Sequence, residues 1–267
     1  MEVVRFVRRL SVPDLVLRAG GAAVRVRPWP GDTTTAQVLP VPGTMLPSAY
    51  EVRRWLHGLT RLGYRRARTA ALGAHDLAPY REAGMDPWEE LALLRRLLDR
   101  PVDAPPRRVR RVGQRAWREL SAIDAAAFPA GSQLDEDGIL DACRATPRHR
   151  VRVAVDHSGP TVGAAHAGAG DDRPPTASTY VGYVVNGRAG TTGYVQRLAV
   201  HPAVAGRGWG GSLVLDGLHW MRAYGCRDAL VNTHVGNHRA LALYERLGFS
   251  RLPEQLTVLG TSLATRP

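Results

Sequence analysis

Val200-His201-Pro202-Ala203-Val204-Ala205-Gly206-Arg207-Gly208-Trp209-Gly210-Gly211 carries the end of an apolar strand straight into a glycine-dense turn and then into a helix. Glycine lets the backbone approach a ligand closely and reach dihedrals that a Cβ forbids. Successive N–H groups at a helix start, reinforced by the helix dipole, face negative charge. The stretch therefore predicts an anion site between a strand and a helix, although the same glycines also serve ordinary turns.

Downstream stands Asn237-His238-Arg239-Ala240-Leu241-Ala242-Leu243-Tyr244-Glu245-Arg246-Leu247-Gly248-Phe249. Its spacing sets Asn237 and Tyr244 on one helix face. In this order the two blocks resemble the GNAT (Gcn5-related N-acetyltransferase) superfamily over residues from about 107 to 260. The resemblance implies an α/β (α+β) fold: a mixed central sheet with a splayed strand pair and flanking helices. Tyr194 to Val200 would be the splayed strand, its free backbone groups around Leu198, Ala199 and Val200 binding the pantetheine arm of acetyl-CoA. The family's pyrophosphate loop, Arg/Gln-x-x-Gly-x-Gly/Ala, is matched by Ala205-Gly206-Arg207-Gly208-Trp209-Gly210, with Ala205 where Arg or Gln is usual. The backbone of Arg207, Gly208, Trp209, Gly210, Gly211 and Ser212 would form the cradle.

The chain has 267 residues, 44% of them hydrophobic, which suits a folded protein with room for two modest domains. It shows no long apolar run and no signal-peptide pattern in Met1 to Arg9, so the expectation is a cytoplasmic protein without a membrane span. Cys143 and Cys226 are the two cysteines, and they suggest neither a disulfide framework nor a metal site. The net charge is +12 and every cation is arginine. A GC-rich genome produces such usage; the alternative is that arginine forks serve to bind phosphate. The one basic run, Arg107 to Arg111, alternates like a solvated strand face and does not point to nucleic acid.

Residues Arg100 to Arg107 form a proline-rich connection and the expected domain boundary, giving 1–104 and 105–267. After it the pattern predicts a strand near Arg108 to Val112, helices over Gln114 to Phe128 and Leu134 to Ala145, strands at Arg150 to Asp156 and Tyr180 to Asn186, a loop over His157 to Ser178, and a last strand at Glu254 to Gly260. The first half carries a faint copy of the second. Leu56-His57 and Gly63 match Leu218-His219 and Gly225, while Tyr80 to Met85 echoes Tyr244 to Phe249. Duplication explains such repeats, and the two-half plan resembles tandem GNAT proteins such as mycothiol synthase. Where that copy should have its phosphate loop it has Pro42-Gly43-Thr44-Met45-Leu46-Pro47-Ser48, which offers fewer N–H donors. It reads as a smaller, degenerate GNAT-like domain that binds no CoA.

Acyl transfer to an amine needs a neutral amine, support for the oxyanion and a proton for the departing thiolate. By the resemblance Tyr244 supplies that proton, or else is simply a packed helix tyrosine. Asn237 bonds the pantetheine, or serves as a plain N-cap. Many GNAT proteins carry a glutamate on the splayed strand, but Tyr194 to Leu198 offers no carboxylate. His234 is the candidate general base; a water relay or an amine arriving neutral would also serve. His201 and His219 read as structural. The implied function is an acetyl-CoA-dependent N-acetyltransferase acting on an amine-bearing small molecule or protein. Two alternatives stand beside it: mycothiol-synthase-like chemistry, and a non-catalytic CoA-sensing or interaction module.

Overall fold

The computed structural model describes residues 15–29, 32–156 and 179–263. The expected loop over 157–178 and the charged start at 1–9 lie outside the described residues.

Three antiparallel strands come first: β1 (Leu15–Ala19), β2 (Ala22–Trp29) and β3 (Asp32–Pro40). Helix α1 (Ala49–Arg61) then leads to β4 (Arg66–Leu72), which pairs parallel with β3 from Thr35↔Arg66 to Val38↔Thr69. A short helix α2 (Ala78–Glu82) follows, then β5 (Asp86–Leu97). Ser48 starts α1 through a capping box with Glu51, and Val52, Trp55 and Leu59 bury one stripe against β2, β3 and β4. Each of those side chains contributes about 1.5–3 kcal/mol by leaving water. Gly63, at φ +89°, ends the helix in the left-handed conformation that a side chain disfavours.

The second series begins with β6 (Val109–Arg111), α3 (Trp117–Ala127) and α4 (Glu136–Arg144). It continues with β7 (Arg148–Asp156), β8 (Thr179–Ala189) and β9 (Thr192–Val200), joined antiparallel in the order β6, β7, β8, β9. Helix α5 (Trp209–Ala223) leads to β10 (Asp228–His234), parallel to β9; α6 (His238–Arg246) and β11 (Ser250–Ser262) close the chain. The expected helix from Gln114 opens instead with one 3₁₀ turn and becomes α-helical at Trp117. Among the described residues no helix is long and apolar enough to cross a membrane.

The repeat heard in the sequence is a repeat of connections. Both halves run hairpin, helix, parallel strand, short helix, strand, and their turns make the same bonds. Tyr64 N donates to Leu59 O as Cys226 N does to Met221 O, and Met85 N donates to Tyr80 O as Phe249 N does to Tyr244 O. Gly63, Gly84, Gly225 and Gly248 all sit at φ between +79° and +90°.

Two compact units result, and each is made of more than one stretch of the chain. The first holds the described residues of 1–93, 232–238 and 251–267; the second holds those of 94–231 and 239–250. The reason is strand pairing. The terminal strand β11 pairs antiparallel with β4, from Thr257↔Leu72 to Ser262↔Arg66, and Leu259 N donates to the buried Thr69 hydroxyl at 2.9 Å. Conversely Leu98 N, just after β5, donates to Arg227 O at 2.8 Å.

Candidate active site

The strand-to-helix crossing of the second unit runs from β9 through His201, a single 3₁₀ turn at Pro202–Val204, and Ala205. Gly206 and Gly208 follow at φ +79° and +82°. Gly208 is the N-cap of α5; no side chain caps that helix and no acidic residue lies in its first turn. Its first N–H groups and dipole are thus left to whatever binds there. A Cβ on Gly206 would meet nothing within 4 Å, and one on Gly208 nothing nearer than Arg107 Nε at 3.9 Å, so space stays open beside both. Gly210 differs from both. Its φ is not positive; what restricts it is Leu243 Cδ2, 3.3 Å from an added Cβ. Ser212 braces the turn, its hydroxyl donating to Gly208 O and accepting from Arg107 N, both at 3.2 Å. Arg107 lies over the buried Trp209 ring at 4.5 Å, so the run Arg107 to Arg111 does more than face solvent.

On β9, Leu198, Ala199 and Val200 pair with Val184, Tyr183 and Gly182 of β8. The ladder toward β10 covers Thr192↔Asp228 to Val195↔Val231 and goes no further, although β9 continues to Val200 and β10 to His234. Five residues of β9 therefore run past their last β10 partner, which leaves that backbone edge available. The register with β8 shifts between Val185 and Asn186, opposite Gln196, and such a bulge bends a strand.

Sequence reasoning missed a charge network behind this strand. Asp124 of α3 is fully buried and accepts from Arg197 Nε at 2.8 Å and Nη2 at 2.5 Å, from Tyr183 OH at 2.5 Å and from Leu134 N at 2.6 Å. Arg197 Nη2 also donates to Ser132 O, and its guanidinium stacks on Phe128. With its lone pairs occupied, Asp124 is a tie between α3 and β9 and has no free oxygen for proton abstraction. Burial, with Asp124 beside it, pushes the Tyr183 phenol well above its ordinary range. The signal was legible: Asp124 lies four residues after Leu120, on the same inward stripe as Trp117 and Ile123.

Tyr244 is buried on α6, its ring edge-on to Phe249 at 5.7 Å. Desolvation pushes its phenol above the ordinary range, and the positive charge of Arg197 opposes this only in part. The hydroxyl is thus held protonated. His234 and Asn237 fall in the segment that belongs to the first unit. Both are exposed; Asn237 immediately precedes α6 and its N–H donates to His234 O at 2.8 Å. His234 Nδ1 accepts from Gly236 N at 3.0 Å, which in a neutral ring places the proton on Nε2. His201 Nδ1 accepts from Ala203 N and His219 bonds Asp103 O, so both serve the fold. Cys143 and Cys226 are buried free thiols, each pushed up by burial. Among the described residues no cluster of metal-ligating side chains occurs.

Comparison with known proteins agrees with this geometry. Residues 117–249 are a domain of the acetyltransferase (GNAT) family. The chain is 50% identical over 48 residues to a mycothiol acetyltransferase of Corynebacterium glutamicum, covering 18% of this chain and 16% of that protein. It is 42% identical over 59 residues to one of Rhodococcus erythropolis, covering 22% and 20%. It therefore matches no more than about a fifth of the length of these relatives. Among solved structures, a tandem GNAT protein from the clavulanic acid biosynthesis pathway superposes with a TM-score of 0.61 at 16% identity, over 95% of this chain and 83% of that one. A GCN5-related N-acetyltransferase from Sphaerobacter thermophilus does so at 0.54 and 16% identity, over 95% and 80%. At such identities they establish the fold.

Proposed function

We propose that the chain is an acetyl-CoA-dependent N-acetyltransferase whose chemistry resides in the second repeat, within residues 105–267, by direct transfer to a primary amine. The uncapped start of α5 after two left-handed glycines carries this reading. The N–H groups from Arg207 to Ser212 receive the pyrophosphate, and the free edge of β9 from Leu198 to Val200 receives the pantetheine arm and polarises the thioester carbonyl. The amine nitrogen attacks that carbonyl carbon, the C–S bond breaks, Tyr244 gives its proton to the departing thiolate, and the proton shed by the nitrogen returns through water to the phenolate. Burial keeps the phenol protonated for that step, although it also makes the phenol a weaker acid than an exposed tyrosine. His234 as base would first have to release Gly236, because the lone pair it would need is the one that bond uses. An amine that arrives neutral, or loses its proton through water, fits the exposed segment better. Asn237 is assigned to the pantetheine or to the helix start. We place the protein in the cytoplasm and assign it no metal.

The likeness to mycothiol acetyltransferases favours one acceptor to try first, a cysteinyl pseudodisaccharide amine. Ala205, where the family has Arg or Gln, and the lack of a β9 carboxylate favour the CoA-sensing alternative. The deciding experiment incubates the full chain with acetyl-CoA and a panel of amines including that one, following free thiol, with calorimetry on CoA in parallel. Thiol release that depends on an amine supports the enzyme. CoA binding with no release above the uncatalysed rate for any amine supports the sensor.

A further inference from the structure

The second unit contains a cavity of about 600 Å³ lined by five arginines: Arg111, Arg148, Arg150, Arg152 and Arg188. It stands apart from the proposed CoA loop. None of Ala205 to Ser212 lines it; Trp220 of α5 and Tyr224, just past its end, do, and Trp220 lies eleven positions beyond Trp209, about 16 Å along the helix axis.

Its charge is not balanced from within. Asp216, which does not line the cavity, pairs with Arg150 and lies 3.6 Å from Arg152 Nε. One carboxylate thus serves two guanidinium groups. Among the described residues Arg111, Arg148 and Arg188 have no carboxylate partner, and no acidic residue lines the wall. The buried Nε atoms of Arg150 and Arg188 have no hydrogen-bond partner. Crowding of like charge shows in Arg150, which burial, Arg152 and Arg111 together bring down to about 10. Such a cluster costs free energy until an anion enters it.

We propose that this cavity is a second anion site that takes a small molecule bearing two or more phosphate groups. Guanidinium forks on three strands, β6, β7 and β8, converge on one concavity and match phosphate oxygens two at a time. The volume falls in the usual range for a small-molecule site rather than a surface track for a polymer. Trp220 and Tyr224, beneath Arg150 and Arg188 at 5.6 Å and 5.0 Å, give the rim an aromatic face on which a base can stack.

The test is calorimetry on the full chain saturated with CoA, using inorganic tripolyphosphate and ATP as probes. Binding of one probe per chain, unchanged in Gly208→Val and weakened at least tenfold in Arg148→Gln/Arg188→Gln, supports the site. ATP binding more tightly than tripolyphosphate identifies a nucleotide as the source, and equal affinities identify a phosphate-only reader. Should the double variant fail to fold, Arg188→Lys keeps the charge, removes the fork, and is expected to weaken the probe several-fold. No binding, displacement by CoA, or affinity indifferent to these arginines overturns the proposal.

Discussion

Two helix starts, α1 and α5, follow equivalent strands and differ in one physical respect. The start of α1 is closed by its own chain: Ser48 N donates to the Glu51 carboxylate at 2.7 Å, the Ser48 hydroxyl accepts from Glu51 N, and the Glu51 charge sits on the dipole. The preceding segment spends further donors internally, Met45 N on Gly21 O and Thr44 N on Val41 O, while Pro42 and Pro47 have none. The start of α5 has no side-chain cap, no acid and two left-handed glycines against one at Gly43. The start of α1 is thus occupied by the chain's own carboxylate, where the start of α5 is left open. Strand edges differ in the same sense: β9 runs five residues beyond its parallel ladder, and β3 runs two.

The sharpest contrast lies in the paired tyrosines. Tyr244→Phe keeps the ring and its contact with Phe249, so stability and CoA affinity hold while turnover falls by about 10²- to 10⁴-fold. Tyr80, its counterpart, is buried with a hydroxyl that finds no partner, so Tyr80→Phe is expected to leave turnover unchanged and stability equal or slightly higher, by up to about 1 kcal/mol. Steady-state kinetics and thermal melts on both variants read this; equal losses of turnover would break the comparison. Alkaline pH gives a related check. Burial raises Tyr244, and raises Tyr80 to about 12, so the fold favours the protonated phenols. That contribution is complete below pH of about 10 and is lost as pH rises through the folded values. The buried thiols add to this from lower pH, Cys143 being raised to about 11, so alkaline melts should begin to fall near pH of about 9 and fall more steeply above about 10.

Asp124→Asn tests the tie behind β9. Arg197, only 16% exposed, would remain without its counter-charge, and a loss of about 3–5 kcal/mol is expected in denaturant unfolding. In the first unit the Asp32–Arg66 pair is half exposed, so breaking it should cost far less than breaking the Asp124–Arg197 pair.

Gly208→Val and Gly43→Val form the next pair. Both put a β-branched side chain at φ near +80°, so both should lower the melting temperature. Only the first should weaken CoA, by at least tenfold or about 1.4 kcal/mol, measured calorimetrically.

Local chemistry made much of this legible from residues alone. The glycine turn, the helix bearing Tyr244, and strands β7 to β9 follow from patterns confined to a few consecutive positions. The repeat showed only where its glycines and tyrosine end helices, since those positions need a particular backbone. Partners distant in sequence were not legible. The pairing of β11 with β4 joins residues at opposite ends of the chain, and each unit is made of more than one stretch of it. Asp124 meets Arg197 across two elements, and the arginine cavity gathers residues from β6 to α5 that no spacing connects. Gly210 shows a subtler limit, because a glycine needed for Leu243 looks in sequence like one needed for a dihedral.

The central claim is that one repeat binds acetyl-CoA and the other has closed its site. Calorimetric titration of CoA into the full wild-type chain and into Gly208→Val tests it most directly. The account predicts one CoA per wild-type chain, with binding at least tenfold weaker in Gly208→Val and no second site uncovered. Two CoA per chain, or one that Gly208→Val leaves untouched, would contradict it.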